Sequence, residues 1–174
     1  VNQNGYLDPE DLINIFSDGV DDDQNGKIDD ICGWDFVEND QNAGTSSIAW
    51  SGSSEKHNFA HTMVAIANNG LGGAGVCPEC KALPVRIRDS RLVQTANLVN
   101  GLRYAATAGA DVIPILGLPL RLNQQEELEI EQIAKELADS NVLIIVGSGT
   151  EFRADFEGPK LQDKALIVGE IMSD

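Results

Sequence analysis

No run of about 18 consecutive apolar residues occurs in this 174-residue chain, so no segment is expected to insert across a membrane as a helix. Basic residues are scarce: 12 Lys and Arg stand against 28 Asp and Glu, a formal charge of −16. Such a surface repels nucleic-acid phosphate and anionic lipid, which excludes nucleic acid as an expected partner. Aromatic residues are few, with two Trp and two Tyr. That leaves little stacking surface for a carbohydrate-binding adhesion module. Val1 is not followed by a basic and then apolar leader, so the expectation is a soluble chain from which any export signal has been removed.

Cysteine is limited to Cys32, Cys77 and Cys80. The Cys77-Pro78-Glu79-Cys80 spacing suits either a redox-active dithiol or a small local disulfide. A redox pair would open a helix after a strand, whereas this one follows a Gly-rich loop and precedes a strand. A structural Cys77–Cys80 disulfide in an oxidising compartment is therefore expected, with Cys32 left as a buried free thiol.

What is present changes character along the chain. Residues 1–56 are rich in Asp, Asn, Gly and Ser with short apolar clusters, which predicts a loop-rich N-terminal segment. From 57 to 174 apolar strands alternate with amphipathic helices, within the same domain and incomplete at both ends. Helices are predicted over 57–69, ending at Asn69-Gly70, over 92–108, and through "NQQEELEIEQIAKELADSN", where Ile130, Ile133, Ala134 and Leu137 share one face. Strands are predicted at 82–87, 111–116, 142–146 and 166–168. Apolar strands alternating with helices imply an α/β fold with a parallel sheet covered on both faces.

One loop concentrates the acidic residues. "DGVDDDQNGKIDD" places Asp21, Asp23, Asn25 and Asp30 around Gly26, with the Lys27 carbonyl as a main-chain donor. Alternating hard oxygens at a sharp turn suit Ca²⁺, and so many like charges repel one another without a cation. Cys32 stands where the twelve-residue helix-loop-helix calcium site has its closing glutamate. The loop is thus related to that module and distinct from it, and a structural calcium site is expected.

Ordered segments of the chain resemble the subtilisin-like serine protease family, the S8 peptidases. "DGVDDDQNGKIDDICGWDF" resembles a calcium-loop segment leading into Gly-Trp-Asp/Asn-Phe. "AHTMVAIANNGLGGAGVCPECKALPVRI" is similar to the His-Gly-Thr-His-Val-Ala-Gly helix, Gly-rich loop and following Pro-Val strand. "GLRYAATAGADVIPILGLP", "NVLIIVGSGT" and "ALIVGEIMSD" resemble the segments that follow in the family's order. The resemblance implies a three-layer subtilisin-like fold with a mostly parallel sheet.

It also implies an Asp-His-Ser triad, in which serine attacks, histidine shuttles the proton and aspartate fixes the imidazole tautomer. The chemistry-bearing positions depart from that pattern. The register of Thr62, Val64 and Ala65 sets Ala60 at the place of the catalytic histidine. His61 is one residue away, a rotation of about 100° around a helix. His57 lies near the helix start, so both histidines are weak catalytic candidates. Thr150 stands where the oxyanion asparagine is expected, and one lost donor there costs on the order of 3 kcal/mol of transition-state stabilisation. Leu116-Gly117-Leu118-Pro119 replaces the substrate-binding Ser-Leu-Gly-Gly, and Pro114 interrupts its strand. No Asp-Thr-Gly and no Gly-Thr-Ser-Met-Ala segment occurs in these residues, and Ser148 has no base placed for it.

The resulting expectation is a degenerate family member without a recognisable triad. It would be a calcium-stabilised structural or protein-binding subunit of a larger extracytoplasmic assembly, whether secreted, periplasmic or bound to the cell envelope. The alternative is a fragment of a processed serine endopeptidase completed by the remainder of its own precursor. Partners are accordingly other protein subunits or that remainder, with a peptide in the former substrate groove left open.

Overall fold

The computed structural model describes residues 9–43, 62–88, 93–115, 122–147, 161 and 163–168. Helix α1 spans Pro9–Phe16, and strand β1 at Trp34–Asp35 pairs in parallel with β2 at Val85–Arg86. Helix α2 covers Thr95–Thr107, β3 Val112–Ile115, α3 Gln124–Asp139, β4 Leu143–Gly147 and β5 Ala165–Val168. The last three strands form one parallel sheet in the order β3-β4-β5, with Val112 opposite Leu143 and Ile144 opposite Ala165. Helix α3 is the crossover between the parallel pair β3 and β4.

The third helix shows how local sequence produces the element. Asn123 is its N-cap: the side-chain oxygen accepts from the N–H groups of Gln125 (2.9 Å) and Glu126 (3.0 Å). The Glu126 carboxylate in turn accepts from the Asn123 N–H at 2.8 Å, which closes a capping box. The other Glu126 oxygen accepts from the Thr95 hydroxyl, so the starts of α2 and α3 are tied together. Ile130, Ile133, Ala134 and Leu137 are all buried, as their spacing predicts. The Ile130, Ile133 and Leu137 side chains, once buried, each contribute about 1.5–3 kcal/mol.

They meet Leu98 and Leu102 of α2, Ile115 of β3 and Ile144 and Val146 of β4 in a single apolar cluster. In β4 the buried residues alternate with more exposed ones, Leu143 being 44% exposed. In β5, Leu166 and Val168 are about half exposed, at 51% and 49%. Among the described residues, both α2 and α3 cover the same face of this sheet. The buried stripes of both α2 and α3 join the same cluster, leaving neither helix for the opposite side.

Two boundaries also differ from the predicted ones. The described part of the 57–69 helix is a single turn at 62–64. The carbonyls of Thr62, Met63 and Ala65 accept from the N–H groups of Val76, Cys77 and Gly75, at 2.9, 2.8 and 2.9 Å. Those bonds from the Gly-rich loop replace the intrahelical ladder, and Asn68 and Gly70 then turn through positive φ (61° and 72°). The strand predicted at 82–87 shortens to two residues. Pro84 has no N–H to donate, and its carbonyl accepts from Trp34 at the edge of the pairing.

Candidate functional site

The acidic loop is built by its own side chains folding back onto its backbone. Asp29 accepts from the N–H of Asp18 at 2.9 Å and of Gly19 at 3.0 Å, which closes the loop's mouth. Asp21 accepts from the N–H groups of Asn25 (3.1 Å) and Gly26 (2.8 Å). Gly26 takes φ +85°, the sharp turn the sequence calls for, while Gln24 and Asp29 hold positive φ of 58° and 56° without being glycine. Left-handed backbone at non-glycine residues is strained and persists where surrounding bonds over-determine it.

At the centre lies Asn25. Its amide nitrogen donates to Asp23 and to Asp30, each at 2.9 Å, and its oxygen accepts from the Lys27 N–H at 2.8 Å. An uncharged donor thus stands between two carboxylates that would otherwise repel. Asp30 also bonds the Tyr104 hydroxyl. Burial first, then that bond and the charges of Asp30 and Asp23, push the Tyr104 phenol well above its ordinary range. Asp21, Asp23, Asn25, Lys27 and Asp30 are held within one loop. Among the described residues, however, no three acidic, His or Cys side chains are arranged as a metal cage. The donor chemistry suits a hard cation; the Asp21 oxygens face backbone amides and Asn25 presents nitrogen to the centre.

Behind the loop stands a group that sequence reading missed. Asp35 is fully buried, and one of its oxygens accepts from the N–H groups of Val37 (2.7 Å) and Glu38 (3.2 Å). The other pairs with the Arg86 guanidinium across the β1–β2 seam. The signal available was a lone acid within the apolar run Trp34-Asp35-Phe36-Val37 and a lone base in "LPVRI". Lys27 lies over the rings of Trp34 (4.7 Å) and Phe36 (5.0 Å), a cation–π arrangement that anchors the acidic loop to β1.

Cys77 and Cys80 form the expected disulfide. Cys32 carries no disulfide and is half-buried, where full burial was expected. Partial burial still pushes its thiol upward, away from the thiolate. The exposure of Ile31 beside it, at 44%, shows why: this stretch runs along the outside of the loop. His57, Ala60, His61, Leu116, Ser148 and Thr150 lie outside the described residues.

A parallel α/β sheet following a loop of this kind agrees with the comparisons to known proteins. A family model described as the Subtilase family, peptidase S8, matches residues 14–171. The chain belongs to that family, and its fold is the subtilisin-like α/β fold. It is similar to Subtilisin-like protease 1 of Plasmodium berghei (strain Anka), 31% identical over 101 residues, which covers 55% of this chain and 15% of that protein. A solved structure of a serine-to-alanine mutant of the protease domain of PatA is 24% identical with a TM-score of 0.42, covering 52% of this chain and 33% of that one. The chain thus spans a minor part of either relative's length.

Proposed function

We propose that this subtilase domain is catalytically inactive and serves as a calcium-stabilised structural or protein-binding subunit of an extracytoplasmic assembly. The observation that carries the reading is Ala60, at the sequence position that the resemblance assigns to the catalytic histidine, in a chain whose family match runs through it. An alanine methyl can neither accept the serine proton nor return it to the leaving amine, so general acid–base catalysis has no group at that place. Thr150 and Leu116 add two further departures, at the oxyanion and substrate-binding positions. The Cys77–Cys80 disulfide supports an oxidising location.

The intact chain should resist covalent labelling by a fluorophosphonate under conditions that label an active subtilase completely. Labelling that disappears in His57→Ala or His61→Ala would instead establish the processed endopeptidase, with an unusual base.

For calcium, the Asn25 amide would turn its oxygen inward, and Asp21, Asp23, Asp30 and the Lys27 carbonyl would complete the oxygen set. A cation that binds only the folded chain stabilises it by about 2.7 kcal/mol at a hundred times its Kd. For a chain of this size that is a rise in Tm of about 5–11 °C. Thermal melts in millimolar calcium and in excess EGTA should differ by that amount, and Asp30→Asn should abolish the difference. Superimposable melts would remove calcium from the reading.

A further inference from the structure

The Gly-rich loop is held on the 62–65 stretch by hydrogen bonds and a disulfide rather than by burial. Leu71 and Val76 are 76% and 88% exposed, so their side chains add little packing. The N–H groups of Val76, Cys77 and Gly75 occupy the carbonyls of Thr62, Met63 and Ala65. Gly75 comes so close that a Cβ there would lie 2.5 Å from the Ala65 nitrogen and 2.7 Å from the Met63 oxygen. Only glycine permits that approach.

The same three carbonyls have a second set of partners. In an α-helix they accept from the N–H groups four residues on, those of Ile66, Ala67 and Asn69. The sequence favours that alternative, because Met63, Val64, Ile66 and Ala67 follow helical spacing and Asn69-Gly70 suits a helix end. Exchanging loop bonds for helical bonds leaves the hydrogen-bond count unchanged, so a modest constraint decides between the two arrangements. Release also returns backbone freedom to Gly70, Gly72, Gly73 and Gly75.

The constraint present is the Cys77–Cys80 disulfide. It ties Cys77, the donor to Met63, to Cys80, whose chain runs through Pro84 into β2. The bond is within reach of solvent: Cys80 is exposed and Cys77 half-buried, and exposed disulfides are the labile and regulatory ones. It is also readily remade. Pro78 opens a turn in which the Cys80 N–H donates to the Cys77 carbonyl at 3.0 Å, and that turn needs no sulfur bond to keep the thiols close.

We propose that Cys77–Cys80 is a thiol-sensitive latch. Oxidised, it holds the loop on the carbonyls of Thr62, Met63 and Ala65; reduced by an external dithiol, it frees them and the helix extends from Thr62 to Asn69. A dithiol thiolate attacks the exposed Cys80 sulfur, and the Cys77 sulfur leaves as thiolate. The second dithiol sulfur then displaces Cys80 from the mixed disulfide. Two electrons and two protons pass to the protein, and the dithiol ends as a disulfide. In an oxidising compartment the latched form is the resting one. The latch does not depend on whether catalysis is lost.

The test is residue-resolved amide hydrogen exchange of the intact chain before and after dithiothreitol, with thiol alkylation and mass spectrometry confirming reduction of Cys77 and Cys80. Reduction is expected to speed exchange at Val76 and Cys77 at least about tenfold and to slow it at Ile66, Ala67 and Asn69 by as much. Reoxidation should reverse both changes. The Cys77→Ser, Cys80→Ser double variant should show the reduced pattern without dithiol. Gly75→Ala keeps the disulfide but forces the loop off through its added Cβ, so it should show that pattern too, and it stands in if the double variant does not fold. The proposal is overturned by a disulfide that dithiothreitol leaves intact in the folded chain, or by exchange unchanged on reduction. Faster exchange at both sets of amides, or a Gly75→Ala chain that exchanges like the parent, would overturn it equally.

Discussion

Asp35→Ala is expected to destabilise the chain by about 3–5 kcal/mol, the range for removing one partner of a buried ion pair. The Asp35 side chain is fully buried and that of Arg86 is 12% exposed, so the guanidinium left behind cannot recover its hydration without opening the β1–β2 seam. Glu38, at 3.6 Å and 60% exposed, is a poor substitute partner. The same substitution strips the N–H groups of Val37 and Glu38 of their acceptor. Asp35→Asn separates these effects. Its amide oxygen can still accept from the two backbone donors, while its NH₂ group would face Arg86, donor against donor. A drop in Tm of about 6–20 °C follows for Asp35→Ala in a chain of this size. Combining Asp35→Leu with Arg86→Met should recover part of the loss, because it removes both charges together. Chemical denaturation of the two single variants and the double variant checks this as a mutant cycle. An Asp35→Ala chain within about 1 kcal/mol of the parent would show that the pair adds no stability beyond its own desolvation.

That pair also marks where sequence reading stops. Helix α3 was legible because its code is local: Ile130, Ile133, Ala134 and Leu137 repeat at the helical period, and Asn123 with Glu126 forms a capping box three residues apart. Strands β3, β4 and β5 were legible because each is a short apolar run, and helix α3 between β3 and β4 gives that pair the crossover parallel pairing needs. Asp35 and Arg86 lie 51 residues apart, and no periodicity links a lone acid to a lone base at that distance. The histidine helix was overextended for a similar reason. The apolar spacing of Met63, Val64, Ile66 and Ala67 suits a helix, yet the carbonyls of Thr62, Met63 and Ala65 are taken by Val76, Cys77 and Gly75, about a dozen residues on. In the acidic loop, the residue types disclosed which oxygens are gathered. They did not disclose that Asn25 presents its nitrogen to Asp23 and Asp30, since an amide offers both faces and only the fold selects one.

Gly33→Ala should be nearly as damaging, through the backbone alone. Gly33 sits at φ +93°, and a Cβ built there would lie 1.9 Å from the Pro84 carbonyl oxygen and 2.9 Å from its carbon. A carbonyl in the main chain cannot swing aside as a side-chain end can, so the two strands must separate. The oxygen that is struck is the one that accepts from the Trp34 N–H, the first bond of the β1–β2 pairing. Separation therefore also exposes Trp34, now 6% exposed, and admits water to the Asp35–Arg86 pair. Positive φ at a residue with a Cβ costs about 1–3 kcal/mol, and overpacking about as much again. A total of about 2–6 kcal/mol lowers Tm by roughly 4–24 °C. Gly109→Ala is the control: Gly109 has φ +86° with nothing within 4 Å of a built Cβ, so it reports the conformational strain without the clash. If the two alanine variants melt together, the close approach of Gly33 to Pro84 has no energetic weight. A clearly lower Tm for Gly33→Ala, with tryptophan emission shifted to the red, would establish the β1–β2 contact as the seam that holds the acidic loop to the α/β core.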